Sequence, residues 1–478
     1  MKILTLIILA LPSILFSNQL TVCIDCEYKS LESVVNDVVP GDTILISGTL
    51  TNGDRVVNLK GTPSNWIYIK GKDNAKYSGG NTGIQFSDCE YLYISDLTIE
   101  GQLLNGMNID DAGTFDTPTH HIRIENCTFR DIAATGNNDL LKLSGFDDFE
   151  ITNCKFLNGS PGGSGVDMVG CHNGLIANNY FENMGSNCIQ AKGGTSDIHI
   201  TRNMFINGGN RAVNIGGSTG LEYFRHQDAD TESENITVYS NIFVGGQCAV
   251  AFVGTVNSQV YNNTIIGSRK WVFRILQETV DAERFLSCGD NSFFNNAVLL
   301  DETLSMTVNI GPNTRPESFE FSNNLWYDIN GNTWNHNLPS IERNSILETN
   351  PDLTDKYGHD IYPTKSSTLV GNGKTLPGVT LDYDSITFVN PPTIGAFEVN
   401  TNTSAHFDYN VENIVIRDNV LHLSNKEYIK YRVYNYSGLL LLESNIKDDN
   451  INLSSLRENY LFLVLESKNK RKLMLVRK

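Results

Sequence analysis

Between Ile84 and Leu325 the chain repeats one hydrophobic pattern about eight times. Short segments that read apolar, variable, apolar recur as Ile84-Gln85-Phe86, Met107-Asn108-Ile109, Leu141-Lys142-Leu143, Val166-Asp167-Met168, Ile189-Gln190-Ala191, Val213-Asn214-Ile215, Val250-Ala251-Phe252 and Phe273-Arg274-Ile275. A second phrase follows, as in Asn126-Cys127-Thr128-Phe129, Asn153-Cys154-Lys155-Phe156, Asn178-Asn179-Tyr180-Phe181, Arg202-Asn203-Met204-Phe205, Ser240-Asn241-Ile242-Phe243 and Asn262-Asn263-Thr264-Ile265. Twelve residues separate Gln85 from Leu97, Lys142 from Cys154, Asp167 from Asn179 and Ala251 from Asn263. Short strands at a period in the twenties, with no helical pattern between them, predict an all-β solenoid.

Strand alternation assigns the faces: Val166 and Met168 point inward and Asp167 outward, and the same frame applies to every repeat. The outward column is therefore Gln85, Asn108, Lys142, Asp167, Gln190, Asn214, Ala251 and Arg274. Beside it run Ser87, Asp110, Ser144, Val169, Lys192, Gly216, Val253 and Leu276. One extra residue in the Gln190 repeat leaves a one-residue slip open there. Asn179 and its counterparts fall at a turn, where stacked amides satisfy buried backbone groups from rung to rung. Cys127 and Cys154 stand in that position and read as small inward core residues.

Extra residues at Asp110 to His121, Gly216 to Glu234 and Gln277 to Asn291 all follow the first phrase of their coils. Insertions on one side of a solenoid build a wall, and a wall beside a sheet makes a cleft. Upstream, Leu31 to Val39 is apolar at helical spacing and reads as a cap on the open end, with Thr43-Ile44-Leu45-Ile46 starting the first coil. Residues 350–400 are Pro-punctuated and read as the closing cap. The expected organisation is a signal peptide over 1–17, the capped solenoid over 18–400, a linker over 401–406 and a small β-sandwich over 407–478.

Composition changes this picture little: 40 Gly and 19 Tyr among 478 residues suit a large β body with many turns. The charge of −18 argues against nucleic acid, which needs a basic face. It also disfavours an unaided grip on a polyanionic glycan unless a local cluster of Lys and Arg, or bound cations, reverses the field. The apolar run Ile3 to Phe16 after one Lys reads as a removed secretory signal. No other stretch reaches transmembrane length, so a secreted or cell-surface location is expected. Of nine cysteines, Cys23 and Cys26 form a C-x-x-C read as a local disulfide or two ordinary thiols.

The repeated coils resemble the right-handed parallel β-helix proteins of the pectate-lyase-like superfamily, many of them secreted polysaccharide lyases, epimerases or glycosidases. The segments Asn350-Pro351-Asp352-Leu353 and Ile394-Gly395-Ala396-Phe397-Glu398 are similar to a closing segment often found on such proteins. The final module resembles the C-terminal sorting domain of the type IX secretion system in Val433-Tyr434-Asn435-Tyr436-Ser437-Gly438, in Ile451-Asn452-Leu453-Ser454-Ser455-Leu456 and in the strand after Tyr460. It lacks the usual Pro-rich start and the Gly before that strand. This resemblance implies export, with the secretion machinery as a partner.

The leading functional expectation is β-elimination on a uronate-containing polysaccharide, which requires a base and a cation that stabilises the enolate-like anion. Lys142 or Lys192 is the candidate base, and Arg211, Arg225 or Arg274 the carboxylate clamp. Asp167, Gln190, Asn214, Asn108 and His226 complete the expected substrate contacts. Asp110, Asp111, Asp139 and Asp167 are candidate oxygen ligands for Ca²⁺, although they form no contiguous calcium motif. Similar β-helix lyases often pair a Lys or Arg base with calcium. Glycoside hydrolysis, with Asp110 and Asp167 as the carboxylate pair, is the enzymatic alternative. A non-catalytic glycan-binding or surface protein is the third reading.

Overall fold

The computed structural model describes residues 17–399 except 115, 334–335, 356–357 and 377–378, and beyond 400 the stretches 406–407, 416–417, 420–422, 429–434, 440–446, 450–456, 460–466 and 470–477. Residues 1–16 of the signal segment and most of the 401–406 linker lie outside the described residues, as do 435–438 of the sorting-domain phrase.

Each coil stacks its short strands in parallel on the coil before. One face is a ten-stranded parallel sheet that runs from Asp54–Val57 to Met306–Ile310 and contains all eight apolar-variable-apolar phrases. The other faces join through their turns into a 25-stranded sheet. Inside, Phe129, Phe156, Phe181, Phe205 and Phe243 stack in a file with ring centroids 4.6 to 5.1 Å apart. All five are at most 1% exposed, so the file is a dry spine, where aromatic burial and offset stacking both stabilise.

The Asn phrase has two parts with different jobs. Its first residue turns the chain at positive φ, as at Asn126 (53°), Asn153 (56°), Asn178 (59°) and Asn262 (49°), a conformation Asn tolerates better than most residues. Its second residue builds the ladder. The Asn203 side-chain oxygen accepts from the Asn179 backbone N–H at 2.9 Å and from the Asn179 amide at 3.0 Å, while the Asn203 amide donates to the Ile176 carbonyl at 2.9 Å. The pattern continues through Asn241, Asn263, Asn296 and Asn324. Upstream it ends at Cys154, whose N–H donates to Asn179, and both Cys154 and Cys127 are buried as expected.

Both ends differ in detail from the expectation. The first rung opens with Gln19–Val22, which pairs with Thr43–Leu50, so a strand precedes the helix. The helix itself is one turn, Leu31–Val34, capped by Ser30 and followed by a 3₁₀ turn; Leu31 and Val34 enter the core. The described part of residues 350–399, expected as a closing cap, packs along a flank of the coils. Ile361, Ala396 and Phe397 pack on Met204 and Ile242, and Leu369 and Ile394 on Ala297 and Leu325. Those solenoid side chains are outward and apolar, so they need a cover, and the segment supplies it.

Cys23 and Cys26 form a disulfide, and the other seven cysteines are free and buried. The C-terminal strands form a five-stranded and a three-stranded sheet around Leu421, Val433, Ile451, Leu461, Leu463 and Leu465. This is the small β-sandwich expected. No described helix is long and apolar enough to cross a membrane.

Candidate active site

Parallel pairing sets the outward column in the expected register. Asn108 pairs with Lys142, Lys142 with Asp167, Asp167 with Gln190, Gln190 with Asn214, Asn214 with Ala251 and Ala251 with Arg274. The extra residue before Gln190 is absorbed without a slip, and Val169 pairs with Lys192 in the neighbouring column.

The three insertions stand at the same edge of this sheet and fasten to one another. Buried Arg225, from the second, forms an ion pair with buried Asp111, from the first. Glu232 is 1% exposed and accepts from the Gly193 N–H at 2.8 Å, from the Thr219 N–H at 2.9 Å, from the Thr219 hydroxyl at 2.7 Å and from the Thr279 hydroxyl of the third insertion. Arg284 donates to the Gln227 and Ala229 carbonyls. The result is one continuous wall, with a cleft of about 530 Å³ between it and the loops that precede the strands. A second hollow of about 410 Å³ continues along the wall past Tyr223, sharing Lys142, Lys192 and Ser218 with the first.

On the floor, one ammonium sits between two carboxylates. Lys142 donates to Asp167 and lies 3.4 Å from Asp139, and Lys192 lies 3.3 Å from the other Asp167 oxygen. Burial works against charge on Lys142, but Asp167 and Asp139 outweigh it and hold its pKa above the ordinary lysine value. For Asp167 burial likewise opposes charge, and the two ammonium groups overcome it and lower the pKa. Asp139 goes the other way: burial, reinforced by the Asp167 charge, pushes it up to about 6.

Lys142, Lys192, Arg211, Arg274, Asp167, Gln190, Asn214 and Asp139 therefore share one cleft. Three expected contacts are not part of it. Asn108 is tied to Gln85 and Asp110 two rungs from Asp167. Arg225 lines only the second hollow and serves as a strut of the wall rather than a carboxylate clamp. His226 stacks on His172 with centroids 5.5 Å apart and lines neither hollow.

The four proposed calcium ligands do not converge. Asp110 accepts from Gln85 and Asn108, Asp111 is paired with Arg225, and between Asp139 and Asp167 the Lys142 ammonium already fills the cation position. Among the described residues no group of three acidic, His or Cys side chains is set to hold a metal. The donor set does not fit a resident Ca²⁺. Asp110, the expected hydrolytic partner of Asp167, lines neither hollow, and Asp139 is the carboxylate that shares Lys142 with Asp167.

Lys270, Trp271, Glu278 and Asn187 are lining residues that the repeat pattern did not single out. Trp271 precedes its apolar-variable-apolar phrase by two residues, outside the frame from which the outward columns were read; its size and the adjoining Lys270 were the available signals.

Residues 82–276 match the family described as a right-handed beta helix region. Among solved structures, the chain is similar to the pectate lyase Pel9A at 13% identity, covering 81% of this chain and 98% of that one with a TM-score of 0.50. This chain is a right-handed parallel β-helix. Weaker likenesses to the β-helix include a mannuronic acid specific polysaccharide family 6 lyase from human gut microbiota (13% identity, 69% of this chain, 83% of that one, TM-score 0.46) and an alginate lyase from Paenibacillus sp. str. FPU-7 (17%, 62%, 97%, TM-score 0.41). No curated protein matches the chain by sequence.

Proposed function

We propose that this β-helix protein binds an acidic, uronate-containing polysaccharide along the cleft and cleaves it by β-elimination. The observation that carries the reading is a local reversal of charge. The cleft is lined by five cations, Lys142, Lys192, Arg211, Lys270 and Arg274, against three carboxylates, Asp139, Asp167 and Glu278, on a chain whose formal charge is −18. A cationic, walled trough on an acidic protein concentrates polyanions where the walls can orient them.

The surroundings of the two lysines divide the chemistry. Lys142 is held protonated by two carboxylates and is suited to giving a proton to the departing glycosidic oxygen. Lys192, which touches Asp167 alone of these two, is the candidate to take the proton α to the uronate carboxylate. As that C–H bond breaks, its electron pair forms the double bond and the glycosidic C–O bond breaks with it. Arg211, held by Asn214 at 3.2 Å and Glu278 at 2.5 Å, presents its fork to the carboxylate. The signal segment and the sandwich module fit an exported protein delivered by a sorting system.

Hydrolysis is a second reading with its own observation, since Asp139 and Asp167 flank one ammonium and their pKa values are driven apart, as an acid and a base require. Incubation with polygalacturonate and alginate separates the two. Unsaturated, ultraviolet-absorbing ends support elimination; new reducing ends without that absorbance support hydrolysis and overturn it.

A further inference from the structure

Charge is distributed unevenly along the cleft. At the early rungs Asp139, Lys142, Asp167 and Lys192 neutralise one another. At the late rungs two cations have no ion-pair partner among the described residues. The Arg274 guanidinium carbon stands 4.2 Å from the centroid of Trp271, and its Nε donates to Asn309 at 2.9 Å. The Lys270 ammonium stands 4.3 Å from the centroid of the same ring. A guanidinium held by a ring and an amide is preorganised, and its terminal N–H groups form a fork that matches the oxygens of a carboxylate or sulfate. Burial and, after it, the neighbouring Arg211 disfavour the Arg274 charge and Glu278 offsets them only in part, so an anion here would relieve a remaining cost.

Arg274 is three strands beyond Gln190 and four beyond Asp167, which places it roughly 14 to 19 Å along the floor. A pyranose residue in an extended chain is about as long as one such step. We infer that Arg274, Lys270 and Trp271 form a separate subsite that grips an anionic group of the glycan roughly three to four sugar residues from the bond that is cleaved. The anion is a uronate carboxylate or a sulfate ester. This inference rests on the acidic-polysaccharide reading and adds a length and charge requirement to it.

Affinity electrophoresis of the full chain in native gels containing polygalacturonate, dextran sulfate or neutral dextran tests it, using Arg274→Ala, Arg274→Lys, Lys270→Ala and, as a charge-matched control at an exposed site, Lys72→Ala. The wild type should be retarded by an anionic polymer and not by dextran. Arg274→Ala and Lys270→Ala should each weaken that binding about tenfold, with Arg274→Lys intermediate and Lys72→Ala unchanged; a tenfold loss is the scale of one good charge-assisted contact. Loss confined to polygalacturonate identifies the carboxylate, loss confined to dextran sulfate the sulfate ester, and loss on both a site that takes either. If wild type is retarded but Lys270→Ala and the Arg274 variants match it, or Lys72→Ala weakens binding equally, the subsite is wrong and the groove reading survives. If wild type is retarded by none of the polymers, or equally by dextran, both fall.

Discussion

Lys142 and Asp167 occupy facing positions on adjacent rungs, and their ion pair is the centre of the cleft floor. Asp167 is 3% exposed and Lys142 25%, so this pair is drawn largely out of water. Removing Lys142 leaves Asp167 with Lys192 alone and takes from Asp139 its ion-pair partner, and breaking a buried pair costs more than its formation contributes. Lys142→Met is expected to destabilise the solenoid by about 3 kcal/mol, and the double variant with Asp167→Asn to recover part of that loss. Urea midpoints for Lys142→Met, Asp167→Asn and the double variant check this; a double-variant loss equal to the sum of the two single losses would mean that the pair is not coupled.

Asp139 and Asp382 give the pH dependence a sign. Both carboxyls are raised above an ordinary 3.8, to about 6 and about 7, chiefly by burial. The native state then binds more protons than the unfolded state within that window, so stability falls as pH rises from about 4 through 6 to 7. Asp139→Asn and Asp382→Asn should each flatten the decline. Thermal melts across pH 4 to 8 measure it, and an unchanged slope in both variants contradicts the assignment.

The amide ladder should be intolerant of truncation. Asn241→Ala leaves the Asn203 backbone N–H and the Asn203 amide without their shared acceptor deep in the turn. A loss of about 2 to 3 kcal/mol is expected, as for buried donors left unpaired. Asn241→Asp, which keeps the acceptor and loses the bonds that the amide donates to Ile200, Tyr239 and Asn263, should differ from it in denaturant titrations.

Glu232 should control the wall rather than the floor. Its carboxylate gathers the second and third insertions, so Glu232→Ala is expected to leave the core folded while residues 217–231 become open to protease. Limited proteolysis with mapping of the first cut tests this, and a first cut elsewhere contradicts it.

The column from Asn108 to Arg274 could be read from sequence because alternation inside a strand leaves each side chain only two directions. The same rule could not place Trp271, which stands outside the three-residue frame of its phrase. Nor could it show that Arg225 is buried, since a charged loop residue looks alike whether it meets solvent or Asp111. Calcium is expected from four acidic residues with oxygen ligands to offer, but in the structure Asp110 is held by Gln85 and Asn108, Asp111 by Arg225, and Asp139 and Asp167 share Lys142. Ile206, Val244 and Ile266 are outward apolar residues at successive turns, and outward apolar positions on a solenoid ask for a cover.

The most direct measurement compares polygalacturonate with its carboxyl-reduced, neutral counterpart as substrate for the full chain, following the absorbance of unsaturated product. The account predicts a rise with the acidic polymer, none with the reduced one, and loss of the rise in Lys192→Met. An equal rise with both polymers, or undiminished activity in Lys192→Met, would contradict it.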